Sequence, residues 1–132
     1  MLVVDASAFT ALVVGGSDAA WLAAQAEADA QWTAPEHFTV EVMSALRGAW
    51  LGGILDERTF PAAVQRLADA VVESWPVRPL LARLVELAPN ASAYDAAYLA
   101  LAEHLDAPLL TADARLARVP GIRCQILHPP SR

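Results

Sequence analysis

At 132 residues, 56% hydrophobic and 18% charged, the chain has the size and composition of one globular domain, residues 1–132. A chain of this length buries about 68% of its unfolded surface, which excludes a disordered polymer. The formal net charge of −6 argues against a broad basic nucleic-acid surface, and all nine basic residues are arginine.

Met1-Leu2-Val3-Val4-Asp5 is an apolar run ending in an acid, the pattern of a buried parallel strand. A helix from Ser7 to Val14 follows, so Asp5 stands where open α/β sheets bind their ligands. Gly15-Gly16 stops that helix, and Ala19 to Ala30 forms a second with Trp21, Leu22 and Ala26 on one face. Trp32-Thr33-Ala34 reads as a short strand. Pro35 then opens a long helix to about Leu51, its buried stripe being Phe38, Val42, Ala45, Leu46, Ala49 and Trp50. Asp56 caps a fourth helix with Phe60, Val64, Leu67, Ala68 and Val71 inward. Trp75-Pro76-Val77-Arg78 reads as an edge strand, since proline cannot donate to a ladder.

A short helix from Pro79 to Leu87 precedes a strong one from Ser92 to Leu105. Leu109-Leu110-Thr111 is a buried strand running into Asp113, and Arg115 to Val119 a short helix. Ile122 to Leu127 is the last strand, before a tail from His128 to Arg132. Cys124, in that strand, reads as a small buried hydrophobe; one cysteine gives no intrachain disulfide and no zinc cluster. Strands alternating with helices predict an α/β fold, a three-layer α/β/α sandwich with a mainly parallel central sheet. No apolar run reaches the ~20 residues of a membrane span. The first residues lack the basic region and cleavage site of a signal peptide, so a cytoplasmic location is expected.

Four acids fall where such a sheet could gather them. Asp5 and Asp113 lie at or just beyond strand ends, Glu41 early in the third helix, and Asp95 in the first turn from Ser92. Mg²⁺ and Mn²⁺ favour oxygen ligands, so clustered carboxylates would suit either ion. Without a cation, the like charges would raise one another's pKa values. Each acid also has a structural role open to it. Ser92-Ala93-Tyr94-Asp95 fits a capping box, Asp5 and Asp113 can each cap a helix, and Glu41 can be a solvated helical residue. Asp5 is the hardest to assign that way, because three consecutive apolar residues precede it.

Four blocks follow one another along the chain. They are Val3-Val4-Asp5-Ala6-Ser7-Ala8, Pro35-Glu36 through Glu41-Val42-Met43-Ser44-Ala45-Leu46, Tyr94-Asp95-Ala96-Ala97-Tyr98-Leu99-Ala100-Leu101-Ala102, and Pro108-Leu109-Leu110-Thr111-Ala112-Asp113-Ala114-Arg115-Leu116. In that order and spacing the chain resembles PIN-domain ribonucleases, specifically the VapC-type toxins of bacterial toxin–antitoxin pairs. The resemblance implies a PIN-like fold and an acidic quartet of Asp5, Glu41, Asp95 and Asp113 that binds Mg²⁺ or Mn²⁺. Asp5 and Asp95 are then the direct ligands, Glu41 and Asp113 bind directly or through water, and Ser7 and Thr111 are supporting hydroxyls.

The implied reaction is metal-dependent hydrolysis of an RNA phosphodiester. The implied partners are RNA, a second copy of the chain, and a cognate antitoxin covering the groove. Trp21, Trp32, Trp50 and Trp75 are core or interface anchors, and Arg47 and Arg115 are the arginines nearest the motifs. Two features depart from the family pattern. Ser44 stands where many relatives carry asparagine, and no further acid follows Asp113 within a few residues, which leaves the metal count open.

Receiver domains and haloacid-dehalogenase-type phosphatases also set aspartates at strand ends around Mg²⁺. Both ordinarily use a lysine, and this chain has none. The phosphatase pattern also wants aspartates two apart, whereas Asp5 is followed by Ser7. His37, His104 and His128 show no paired ligand spacing. Two functional alternatives stay open: an RNA-processing PIN nuclease without an antitoxin, and an inactive PIN-like protein-binding module.

Overall fold

Leu2–Val4 forms the central strand β1, buried along its whole length, as expected of a strand covered on both faces. Four further strands complete the sheet: β2 (Trp32–Pro35), β3 (Val72–Trp75), β4 (Leu109–Leu110) and β5 (Ile126–Leu127). Their order is β3-β2-β1-β4-β5. Every pairing is parallel, with Val3 opposite Thr33 on one side and Leu109 on the other. Six helices connect them: α1 (Ala6–Val14), α2 (Ala19–Glu27), α3 (Phe38–Leu51), α4 (Thr59–Asp69), α5 (Leu81–Leu87) and α6 (Ala93–Leu105). The computed structural model describes residues 1–131; Arg132, the end of the expected tail, lies outside the described residues.

The chain steps outward from β1 through β2 to β3, then recrosses to β4 and β5. Right-handed crossovers therefore put α1 to α4 on one face and α5 and α6 on the other. The packing follows that division. α1 packs on α2 and α3, and α3 on α4, whereas α6 packs on α5 and on β1, β2 and β4. Residues Ala96 to Ala102 of α6 are all buried, and its alanines let it lie close to the sheet. Strand order reverses between β1 and β4, which opens a crevice at their carboxyl ends. Asp5 is the first residue beyond β1.

The sandwich agrees with the sequence expectation; several local assignments do not. Pro35 closes β2 instead of opening a helix, and α3 begins at Phe38. The expected edge strand at 75–78 lies at Val72–Trp75, where Thr33 to Pro35 offer Glu73 to Trp75 a parallel ladder. Pro76 cannot extend it. α4 consequently stops at Asp69, and Val71, expected inward, is 87% exposed. Ala68 is exposed as well, as are Ala45 and Trp50 of the expected α3 stripe. Trp50 instead stacks on Phe60 across α3 and α4, centroids 4.8 Å apart and planes 2° from parallel. Cys124 precedes β5 in a loop and is half-buried; burial pushes its thiol up to about 11.

An ionic tie holds the back of the sandwich together. The Arg83 guanidinium of α5 donates to Glu103 of α6 at 2.7 and 3.1 Å and to the Gly121 carbonyl at 2.7 Å. Among the described residues no single helix is long and apolar enough to cross a membrane.

Leu99, fully buried in α6, is a sensitive reporter of this packing. Leu99→Ala is expected to cost about 2–5 kcal/mol in urea unfolding. Val71→Ala is expected to stay within about 0.5 kcal/mol, as an exposed position should; a large loss there would return Val71 to the core.

Candidate active site

Asp5 is buried, 4% exposed, and its carboxylate is held on one side only. Oδ2 accepts from the Ser7 hydroxyl at 2.7 Å and from the Thr111 hydroxyl at 2.6 Å. Each hydroxyl has one proton, and both protons go to this oxygen. Their remaining lone pairs accept backbone N–H groups, Ser7 from Ala112 at 3.1 Å and Thr111 from Asp113 at 3.0 Å. The Asp5 N–H donates to the Leu110 carbonyl at 2.9 Å, tying the residue to the end of β4. Among the described residues Oδ1 of Asp5 accepts no hydrogen bond. Asp5 follows the end of β1 directly, yet its side chain makes no helix cap.

The other three acids line the same cavity as Asp5, a space of about 530 Å³ that also touches Ser7 and Thr10. Glu41 arrives from the first turn of α3. Its Oε1 accepts from the Tyr98 hydroxyl at 3.1 Å, and its Oε2 lies 3.9 Å from His37 Nε2. Burial, then the charges of Asp5 and Asp95, pushes its carboxyl above the ordinary range despite the Tyr98 bond. Asp95 arrives from the first turn of α6, where its N–H is capped by the Ser92 hydroxyl at 3.2 Å. Its carboxyl is raised by burial and by the charges of Asp5 and Asp113.

Asp113 follows β4 and differs in kind. The Arg115 guanidinium grips it, Nε at 3.0 Å from Oδ1 and an Nη at 2.6 Å from Oδ2. The Arg115 N–H also donates to Oδ1 at 3.0 Å, so Asp113 does cap the 3₁₀ helix Ala114–Arg118. The Arg115 guanidinium holds the Asp113 carboxyl below its usual value.

All four acids predicted from the sequence therefore meet in one cavity, and Ser7 and Thr111 bond to one of them. The capping roles of Ser92 and Asp113 coexist with that arrangement. Glu41 is half-buried, not solvated. The sequence reading missed His37 and the use of Tyr98. His37 packs edge-to-face on Tyr98, centroids 5.1 Å apart, and burial lowers its pKa. Tyr98 lies one helical turn beyond Asp95, a spacing that places both on one side of α6.

The donor set suits a hard divalent ion, since it is all carboxylate and partly desolvated. In this arrangement no three acid or imidazole side chains among the described residues converge on one point. Burial is the larger cause of the upward shifts of Glu41 and Asp95, and the repulsion from neighbouring acids that adds to it is what a cation among them would relieve.

A PIN domain profile matches residues 2–122. The chain belongs to the PIN-domain family. Its relatives place it among the VapC ribonucleases of that family. Ribonuclease VapC12 of Mycobacterium tuberculosis is 34% identical over 126 residues, 96% of this chain and 97% of that protein. Ribonuclease VapC1 of the same organism is 37% identical over 125 residues, 94% of each. The fold is similar to that of M. tuberculosis VapC20, a sarcin-ricin loop cleaving toxin, with a TM-score of 0.66 at 18% identity. That likeness covers 93% of this chain and 97% of VapC20.

The shifts carry a sign that can be measured. A carboxyl raised in the fold stabilises it below its unfolded value, 3.8 for Asp95, and that contribution is lost as pH rises through the folded value. In chelator at pH 7, Asp95→Asn is therefore expected to melt higher than wild type, the gap closing as the pH falls below 3.8. A mutant that melts lower at pH 7 would make Asp95 a helix-dipole residue first.

Proposed function

We propose that this PIN domain is a Mg²⁺- or Mn²⁺-dependent endoribonuclease, the toxin of a toxin–antitoxin pair, inhibited by its cognate antitoxin. The observation that carries this reading is the meeting of Asp5, Glu41, Asp95 and Asp113 in one cavity at the switch point of the sheet. Asp5 and Asp95 would hold the ion directly, with Glu41 and Asp113 binding directly or through water. A bound ion supplies an activated water and neutralises charge on the scissile phosphate.

The chain's own groups have distinct tasks. Ser7 and Thr111 fix Asp5 so that Oδ1 is left for the cavity. Glu41, steadied by the Tyr98 hydroxyl, would hold the ion or one of its waters in place as water adds to phosphorus and the P–O ester bond breaks. The leaving oxygen takes up a proton, and no covalent intermediate with the protein forms. Arg115, 81% exposed at its side chain, and the exposed Arg47 supply positive charge for the RNA backbone in an otherwise acidic chain.

Beyond the acids the cavity runs into an apolar arm of Val14, Ala45, Ala49 and Ile54. That arm suits an amphipathic antitoxin segment. A homodimer belongs to the same reading, and Trp50, 38% exposed, is the tryptophan available to it. The intact acid set disfavours an inactive binding module.

Purified chain free of antitoxin is expected to cut single-stranded RNA in Mg²⁺ or Mn²⁺ and to stop in excess chelator. Asp5→Asn should lower the rate roughly 100-fold or more, the scale of a lost positioned group. Undiminished cleavage in chelator by a preparation free of other nucleases would overturn the proposal.

A further inference from the structure

A second cavity, of about 330 Å³, lies next to the acidic one. His37, Val40, Glu41, Ser44 and Tyr94 line it, and Glu41 lines both. Its volume falls within the roughly 300–1,000 Å³ of small-ligand sites. Tyr94 is 63% exposed, an unusual cost for an aromatic ring that the core does not use. Its ring is nonetheless held on one side. His37 packs against it edge-to-face at 5.6 Å and 65°, and packs in turn on the buried Tyr98 at 5.1 Å and 70°. Val40, 73% exposed, adds an apolar wall, and the exposed Ser44 hydroxyl adds a polar group at the rim.

We infer that this cavity is a nucleobase subsite, in which Tyr94 stacks on the base of a nucleotide adjoining the scissile phosphate. Three features favour a base over a peptide side chain. The platform is a pre-oriented aromatic face, which every base can stack upon. Glu41 and Ser44 bring polar side chains to the cavity wall, which a base edge can use as partners. The shared Glu41 sets the cavity beside the carboxylates, so a chain whose phosphate lies at the acids presents its neighbouring base here. Base stacking on Tyr94 would also supply affinity that an acidic chain without lysine cannot draw from phosphate contacts alone. The inference rests on the ribonuclease reading and adds to it the group that selects where the RNA is cut.

The test uses a short single-stranded oligoribonucleotide that wild type cuts at one position, with the intact chain in Mg²⁺. Tyr94→Ala is expected to raise KM about 10-fold, the order of one lost base–aromatic stack, with kcat unchanged. Tyr94→Phe should restore the wild-type KM, because it keeps the ring. All three proteins should show the same rise in melting temperature on adding Mg²⁺, which reports that Asp95 next door is undisturbed. An abasic nucleotide placed beside the cut site should weaken wild type and leave Tyr94→Ala no worse. An unchanged KM in Tyr94→Ala, or an abasic penalty of full size in that variant, would overturn the subsite while leaving the ribonuclease intact. An unchanged KM with lost affinity for a protein inhibitor would assign the cavity to a protein partner and overturn it too. A wild type that cuts no RNA would remove both readings together.

Discussion

The two hydroxyl protons of Ser7 and Thr111 converge on one oxygen of a buried aspartate, and the rest of the site is arranged around that fact. A carboxylate 4% exposed has little water to solvate it, so its charge must be met by the protein. The fold meets half of it. The hydroxyls come from opposite ends of the chain, one from the start of α1 and one from the end of β4, because β1 and β4 are neighbours in the sheet. Both hydroxyls also accept backbone N–H groups of the loop after β4, so the clamp on Asp5 and the path of the chain into Asp113 are one network. The network holds its geometry well because each hydroxyl in it both donates and accepts.

Around that fixed point the remaining acids are handled differently. Burial, and then the charge of Asp5, raises the carboxyls of both Glu41 and Asp95. Asp113 escapes that rise through Arg115, whose guanidinium serves as a local counter-charge. Tyr98 donates its hydroxyl to Glu41, and burial lowers the pKa of His37 beside it. The site is therefore short of positive charge by design of its donors, which is the condition under which a divalent ion binds with the greatest relief.

Much of this was legible in the sequence, for reasons that differ by residue. Asp5 ends an apolar run, and Asp113 follows another, so strand ends marked both. Ser92 announced the start of α6 and so the place of Asp95. Val71 misled because it continues the helical spacing of α4, and only the ladder that β2 offers makes the next residue, Val72, strand. The two-residue strands β4 and β5 are fixed by their neighbours more than by their own residues, which is why Cys124 falls outside β5. His37 looked isolated because its aromatic partners are far along the chain: Tyr94 and Tyr98 reach it only once the start of α6 meets the start of α3 at the carboxyl edge of the sheet. No local spacing encodes such a contact.

Under the function proposed above, the hydroxyl clamp would prepare Asp5 as the fixed ligand of the cation. Thr111→Val keeps the shape of the buried side chain and removes the proton that Asp5 Oδ2 accepts at 2.6 Å. Mn²⁺ titration calorimetry on wild type and on folded Thr111→Val is the most direct measurement. The account predicts a loss of affinity of about 10-fold to 100-fold, the range for removing a group that orients a metal ligand. Equal affinity for Mn²⁺ in the two proteins would contradict it.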